Sequence, residues 1–149
     1  VVGTSAGSVV GSLYASGMGG FELQRVALQM EESMVVDWTL PNRGVLKGEA
    51  LQDFINRNVK SLTIQKMPRP LGVVATDLQS GDLMLFRRGD TGMAVRASSS
   101  VPGVFQPVAI NGRDYVDGGL VSPVPVRIAR SLPAGAFGLR LRDYYAAPA

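Results

Sequence analysis

The pentapeptide Gly3-Thr4-Ser5-Ala6-Gly7 carries the clearest chemistry in this sequence. It has the form G-x-S-x-G, in which a serine on a sharp turn between a strand and a helix acts as a nucleophile in many hydrolases. In most such enzymes a histidine accepts the proton of the serine. This chain of 149 residues contains no histidine. Ser5 is therefore either not a nucleophile, or its base is a carboxylate.

Each residue around Ser5 has an expected role if this serine is the nucleophile. Gly3 and Gly7 would keep the turn and the path of the substrate free of side chains. The N–H of Ala6, at the start of the following helix, would bind the oxyanion, where the helix dipole also favours negative charge. Two alternatives stay open. One is a glycine-rich turn with Ser5 as a helix cap; the other is a phosphate-binding loop, which the lack of any lysine before Lys47 disfavours.

Two aspartates are candidates for the base. A carboxylate becomes an effective base when it is partly desolvated and hydrogen-bonded to the nucleophile, which favours the end of a strand. Asp117 follows the strand-like Tyr115-Val116, and we expect Gly118-Gly119 to provide backbone conformations closed to other residues. Asp77 ends another apolar run. The structural alternatives are an ordinary Asp-Gly turn at Asp117 and a turn capped by its own side chain at Asp77.

The elements that must position these residues alternate between helix and strand. After a strand end at Val1-Val2, the hydrophobic spacing predicts helices over 6–16, 21–32, 48–59, 91–100 and 125–132, with a loop after 32 that runs through Trp38. Strands are predicted over 71–77, 83–87, 108–110, 113–116 and 136–141. Asn111-Gly112 predicts a type I′ hairpin turn, and Gly7, Gly11 and Ala15 predict a small-residue helix face. This pattern indicates an α/β layered fold around a mixed sheet.

The composition excludes several classes of function. No cysteine is present, so disulfides and thiolate metal sites are excluded, and without histidine we expect no metal and no cofactor. The net charge is only +3, and the sequence has no stripe of basic and aromatic residues, which disfavours nucleic-acid binding. The slight excess of arginine is typical of a solvated surface, or of peripheral contact with anionic membranes. No signal peptide or membrane span is visible, so we expect a cytoplasmic location.

The two motifs together resemble those of the patatin-like phospholipase family. That family combines a G-x-S-x-G serine with a D-G-[GA] aspartate in a Ser-Asp dyad that lacks histidine, and this chain has Gly3–Gly7 and Asp117-Gly118-Gly119. The stretches between and after them also resemble the family: Ala75–Leu78, Ser80-Gly81, Arg96–Val108 and Pro123–Val126. The resemblance covers essentially the whole chain, in the right order.

The resemblance implies a fold and an activity. The fold would be a three-layer α/β/α sandwich with a mixed central sheet. The activity would be hydrolysis of lipid carboxylic esters, of the phospholipase A or lysophospholipase type, with Ser5 as nucleophile and Asp117 as general base. Gly3, Ala6, Gly7, Gly118 and Gly119 would support the elbow and the oxyanion. Two other functions stay open: a non-catalytic lipid-binding or regulatory protein on the same fold, and an acyltransferase.

The resemblance also implies a glycine-rich oxyanion loop upstream of the nucleophile strand. The sequence opens on a strand end, with no methionine before Val1. We therefore expect residues 1–149 to be one partial domain that lacks its first strand-helix unit. On this interpretation the full-length protein is the active species, and the 149 residues alone need not be active.

Overall fold

A computed structural model describes residues 1–39 and 48–131, with the backbone alone over 31–39. The helices are α1 (Ala6–Ala15), α2 (Gly20–Thr39), α3 (Glu49–Asn58), α4 (Thr91–Ser98) and α5 (Val126–Ser131). The strands are β1 (Val2–Thr4), β2 (Gly72–Asp77), β3 (Leu83–Phe86), β4 (Val108–Ile110) and β5 (Arg113–Asp117). The strand predicted over 136–141 lies outside the described residues.

The five strands form one mixed sheet with β2 at its centre. β1 runs parallel to β2, whereas β3 and β5 run antiparallel to it, and β4 pairs with β5. All six residues of β2 are buried, as expected of a strand that is covered on both faces. β1 and its partner β2 are separated by more than 60 residues in the sequence. The prediction of a mixed α/β sheet is therefore confirmed.

Helices pack on both faces of the sheet. Alternate side chains of β2 and β3 point to opposite faces because the side-chain period of a strand is two residues. Val73, Ala75, Met84 and Phe86 join the larger core with α1, α3 and α4, while Val74 and Leu85 join a smaller cluster with Ile128 of α5. The result is three layers, as the resemblance to the α/β/α fold implies.

Most predicted elements agree with the structure, and one is wrong. The hairpin turn is confirmed as type I′, because both Asn111 and Gly112 have positive φ, 51° and 77°. The predicted loop after residue 32 is helical instead, since α2 continues to Thr39. Between residue 33 and Thr39 no glycine or proline ends the helix. The next such residue in the sequence is Pro41.

The small-residue face of α1 is only partly as predicted. Gly11 and Ala15 are buried, and a Cβ on Gly11 would lie 3.1 Å from a methyl of Val1, so the helix packs closely there. Gly7 is exposed, and a Cβ on it would meet no atom within 4 Å. Among the described residues, no helix is both long enough and apolar enough to span a membrane.

Candidate active site

The register of β2 brings the ends of β1 and β5 together. β3 occupies one edge of β2 from Val73 to Thr76, so β1 and β5 share the other edge. β1 ends with Thr4 opposite Val74, and the antiparallel β5 ends with Asp117 opposite Ala75. β1 and β5 therefore run toward each other along one edge of β2. Ser5, which follows β1, lies beside Asp117 although the two are 112 positions apart in the sequence.

Ser5 lies on a strained turn between β1 and α1. Its backbone has φ 53° and ψ −122°, a region that residues with a Cβ rarely adopt. Such strain costs on the order of 1–3 kcal/mol and is concentrated at functional sites. Gly3 makes the turn sterically feasible, because a Cβ there would lie 2.4 Å from the carbonyl oxygen of Gly7. The strand-to-helix elbow is thus present in the geometry that the pentapeptide predicts.

The hydroxyl of Ser5 donates a hydrogen bond to Asp117 at an Oγ–Oδ2 distance of 2.8 Å. Ser5 occupies the N-cap position of α1, yet its side chain makes no cap hydrogen bond. The alternative of a merely capping serine is therefore wrong. Asp117 is 7% exposed, so this carboxylate is largely withdrawn from water and directed at the serine. The two groups have the distance that a nucleophile and its general base require.

The other carboxylate oxygen of Asp117 is fixed by its own turn. Oδ1 accepts the N–H of Gly119 at 2.6 Å, which leaves Oδ2 for Ser5. The expected reason for the two glycines is wrong, because neither Gly118 nor Gly119 has positive φ. Glycine is favoured at both positions because a Cβ would clash with neighbouring atoms. A Cβ on Gly118 would lie 2.3 Å from the Val74 carbonyl oxygen, and one on Gly119 would lie 2.9 Å from Oδ1 of Asp117.

Ala6 and Gly7 form the first turn of α1, next to Ser5. The first N–H groups of a helix have no acceptor within the helix. The N–H of Ala6 therefore lies beside Ser5 at the helix end where such donors are available to an acceptor outside the helix. Gly7 is exposed and has open space around its Cα, so the described residues give no steric requirement for glycine there.

Asp77, the rival base, serves a different part of the fold. Its Oδ1 accepts the N–H groups of Gln79 and Ser80 at 2.9 and 3.2 Å, and its Oδ2 pairs with Arg113. Burial acts to raise the pKa of Asp77, but these hydrogen bonds and the charge of Arg113 outweigh it and hold the pKa below its ordinary value of 3.8. The carboxylate caps its own turn, as the structural alternative predicts. In the described residues, no group of three or more carboxylates is placed to hold a metal ion.

Several hydroxyl groups around the site were not identified from the sequence. Ser98 at the end of α4 accepts the N–H of Ser5 at 2.8 Å, and Thr76 donates to the carbonyl of Asp117 at 2.8 Å. Thr4 donates to the carbonyl of Ser122 at 2.9 Å, which ties β1 to the chain beyond Asp117. The only sequence signal for Ser98 is its place in the stretch Arg96–Val108, which resembles the family without a role for any single residue.

Comparison with known proteins gives a consistent result. Residues 1–130 match the family model described as patatin-like phospholipase. An uncharacterized NTE family protein of Mycobacterium tuberculosis is 34% identical over 128 residues, which cover 85% of this chain and 36% of that protein. A second one from the same organism is 30% identical over 128 residues and 22% of its length. Patatin-like phospholipase domain-containing protein 6 of Mus musculus is 30% identical over 142 residues, 90% of this chain and 10% of that protein. The chain thus spans about a third or less of the length of these relatives.

Proposed function

Because the chain belongs to the patatin-like phospholipase family, we propose that it carries the catalytic residues of a lipid ester hydrolase. Family membership supports lipid hydrolysis at the level of the family. The finer proposal is that Ser5 and Asp117 form the dyad of an enzyme of the phospholipase A or lysophospholipase type. The observation that carries it is the 2.8 Å hydrogen bond from a strained serine to a buried aspartate.

In the first half of the proposed reaction the acyl group moves to Ser5. Asp117 Oδ2 takes the hydroxyl proton as Oγ attacks the ester carbonyl carbon, and the negative charge that develops on the carbonyl oxygen is stabilised by the N–H of Ala6. The tetrahedral intermediate then collapses. Asp117 returns the proton to the departing alcohol, and the C–O bond of the ester breaks. An acyl group remains on Oγ.

In the second half, water replaces the alcohol. Asp117 takes a proton from a water molecule, which attacks the acyl carbon and forms a second tetrahedral intermediate. That intermediate expels Oγ, which recovers the proton from Asp117, and the fatty acid leaves. The second oxyanion donor that the family resemblance assigns to an upstream glycine-rich loop stays a prediction.

The surroundings of the dyad support a lipid as substrate. No charged residue occurs from 97 to 112 or from 118 to 126, the stretches that follow α4 and Asp117. Apolar side chains in these stretches are exposed, with Leu120 at 63% and Val124 at 74%. An apolar rim next to the site suits acyl chains and the surface of a lipid aggregate better than a charged polar substrate. Arg127 and Arg130, which follow on α5, favour anionic lipid surfaces.

The hydrolase proposal is tested with the full-length protein on phospholipid, lysophospholipid and triacylglycerol. Release of fatty acid is expected from at least one substrate class, and Ser5→Ala should abolish it. Ser16→Ala is the matched control, since that hydroxyl donates to the carbonyl of Leu13 in its own helix end. Undiminished hydrolysis by Ser5→Ala would refute the proposal. A protein that binds lipid but hydrolyses none would be a non-catalytic member, and acyl esters formed from an added alcohol acceptor would indicate an acyltransferase.

Peripheral membrane contact through the apolar rim is tested separately. Val124→Glu should lower hydrolysis of substrate in anionic vesicles and leave hydrolysis of a soluble short-chain ester unchanged. Phe21→Glu is the control, because Phe21 is 83% exposed but lies on α2, which packs on α1 and α3. Equal loss on both substrates, or equal loss in both variants, would contradict a docking role for the rim.

A further inference from the structure

Ser98 is a fully buried hydroxyl that joins three parts of the site. It is 0% exposed and lies at the end of α4. Its Oγ accepts the N–H of Ser5 at 2.8 Å and donates to the carbonyl oxygen of Val74. The direction of both bonds is fixed, because a carbonyl only accepts and a backbone N–H only donates. Ser98 thus connects the elbow directly to the central strand.

The N–H of Ser5 needs this partner because of the strained turn. With φ at 53°, the backbone of Ser5 leaves the strand pattern before α1 begins, so neither the sheet ladder nor the helix satisfies its N–H. A backbone N–H that is withdrawn from water without an acceptor is destabilising, because its lost hydrogen bond to water is not replaced. In the observed conformation the hydroxyl of Ser98 supplies the acceptor. Its hydrogen bond therefore favours the turn that directs Oγ toward Asp117.

The same segment also holds the base. The carbonyl oxygen of Ser100, two residues after Ser98, accepts the N–H of Asp117 at 3.0 Å. The end of α4 is therefore bonded to the backbone of both Ser5 and Asp117. The hydrogen bond from Ser98 to the Val74 carbonyl also ties this segment to the central strand, so both groups are held relative to the same strand.

We propose that Ser98 is a positioning residue that holds Ser5 in its strained conformation and so keeps Oγ within hydrogen-bond distance of Asp117. This inference rests on the proposed function. Because the N–H of Ser5 is engaged by Ser98, it is not free to bind the oxyanion. Among the backbone N–H groups of the elbow, that task is left to Ala6 and the turn that follows.

The neighbouring Ser99 provides a matched control. Its Oγ is buried and has no hydrogen-bond partner among the described residues. Removal of an unsatisfied buried hydroxyl is close to neutral or stabilising. Ser98→Ala and Ser99→Ala therefore remove the same atom from adjacent positions, and only the first breaks a contact with the dyad.

The test measures the rate at which a fluorophosphonate probe labels the serine in the full-length protein, together with kcat and KM on a soluble ester. Ser98→Ala should lower the labelling rate and kcat by roughly 10- to 100-fold, the effect of a nucleophile displaced by up to 1 Å, with KM unchanged. Ser99→Ala should keep the wild-type rate. Ser98→Thr, which retains a hydroxyl, should label faster than Ser98→Ala.

Thermal unfolding of each variant separates positioning from general destabilisation. A labelling loss in Ser98→Ala at a temperature where the protein is fully folded supports the proposal. Labelling of Ser98→Ala at the wild-type rate would overturn it and leave the dyad intact. A loss of labelling rate in Ser98→Ala that is no larger than the loss in Ser99→Ala would also overturn the proposal. Failure of the wild-type protein to label or hydrolyse would overturn the proposed function and this inference together.

Discussion

Replacement of Gly118 by alanine tests whether the position of Asp117 depends on close contact between β5 and the central strand. A Cβ at Gly118 would lie 2.3 Å from the Val74 carbonyl oxygen, whereas ordinary van der Waals contact begins at 3.4 Å. The neighbour is backbone in the middle of the sheet, so no side chain can rotate away. The end of β5 must therefore move by roughly 1 Å, and Asp117, the preceding residue, must move with it.

The expected loss follows from that displacement. The Ser5–Asp117 distance of 2.8 Å would exceed the limit for a hydrogen bond if the carboxylate moved away by 1 Å. A misplacement of this size costs on the order of 100-fold in rate. Overpacking of a buried position typically costs about 1–3 kcal/mol of the free energy of unfolding. Gly118→Ala should therefore lower kcat by about two orders of magnitude in a protein that still folds.

The assay is hydrolysis of a soluble ester by the full-length protein, with urea denaturation of the same samples. Gly20→Ala is the control, because a Cβ there meets no atom within 4 Å and the residue begins α2, away from β5. It should keep wild-type kcat. Wild-type kcat in Gly118→Ala would refute the reasoning, since Asp117 would then tolerate a shift that breaks its bond to Ser5.

Other consequences concern the two glycines of the pentapeptide and the rival aspartate. Gly3→Ala should lose activity and stability as Gly118→Ala does, because its Cβ would lie 2.4 Å from the Gly7 carbonyl oxygen. Gly7→Ala should leave the free energy of unfolding unchanged or raise it by up to about 1 kcal/mol. Urea denaturation of the two variants measures this difference. Asp77→Asn should retain hydrolysis, and loss of activity in a folded variant would make Asp77 part of the site. Because the pKa of Asp77 is held below 3.8, its charged form stabilises the protein above that pH, and this contribution is lost as the pH falls through the lowered pKa. Wild type and Asp77→Asn should therefore differ in unfolding free energy at pH 6 and converge in acid, and a difference that grows in acid would contradict this sign.

The sequence predicts the residues with local signatures and misses those defined by contacts across the fold. Ser5 and Asp117 lie in short motifs at strand ends, and the structure brings them together as the resemblance implies. The requirement for glycine at 118 arises from the carbonyl of Val74, which is remote in sequence, so the expected dihedral explanation was wrong. For the same reason Gly3 and Gly7 look equivalent in the motif, although only Gly3 faces a backbone atom.

Ser98 shows why hydrogen bonds between residues distant in sequence cannot be predicted from local sequence patterns. It bonds to Ser5 across 93 residues, and nothing in the run Ser98-Ser99-Ser100 distinguishes the bonded hydroxyl from the unpartnered one beside it. The end of α2 was misplaced for a different reason. The sequence predicted a loop that runs through Trp38, Pro41 and Gly44, but no glycine or proline occurs between residue 33 and Thr39 to interrupt the helix.

The most direct test of a serine nucleophile that uses aspartate in place of histidine is the labelling of the full-length protein by a fluorophosphonate probe, with the adduct mapped by mass spectrometry. We predict that the adduct forms on Ser5 and that Asp117→Asn lowers the labelling rate by about 10²–10⁴-fold, the usual contribution of a general base, while the variant stays folded. An adduct on another residue, or labelling of Asp117→Asn at the wild-type rate, would contradict the Ser-Asp dyad.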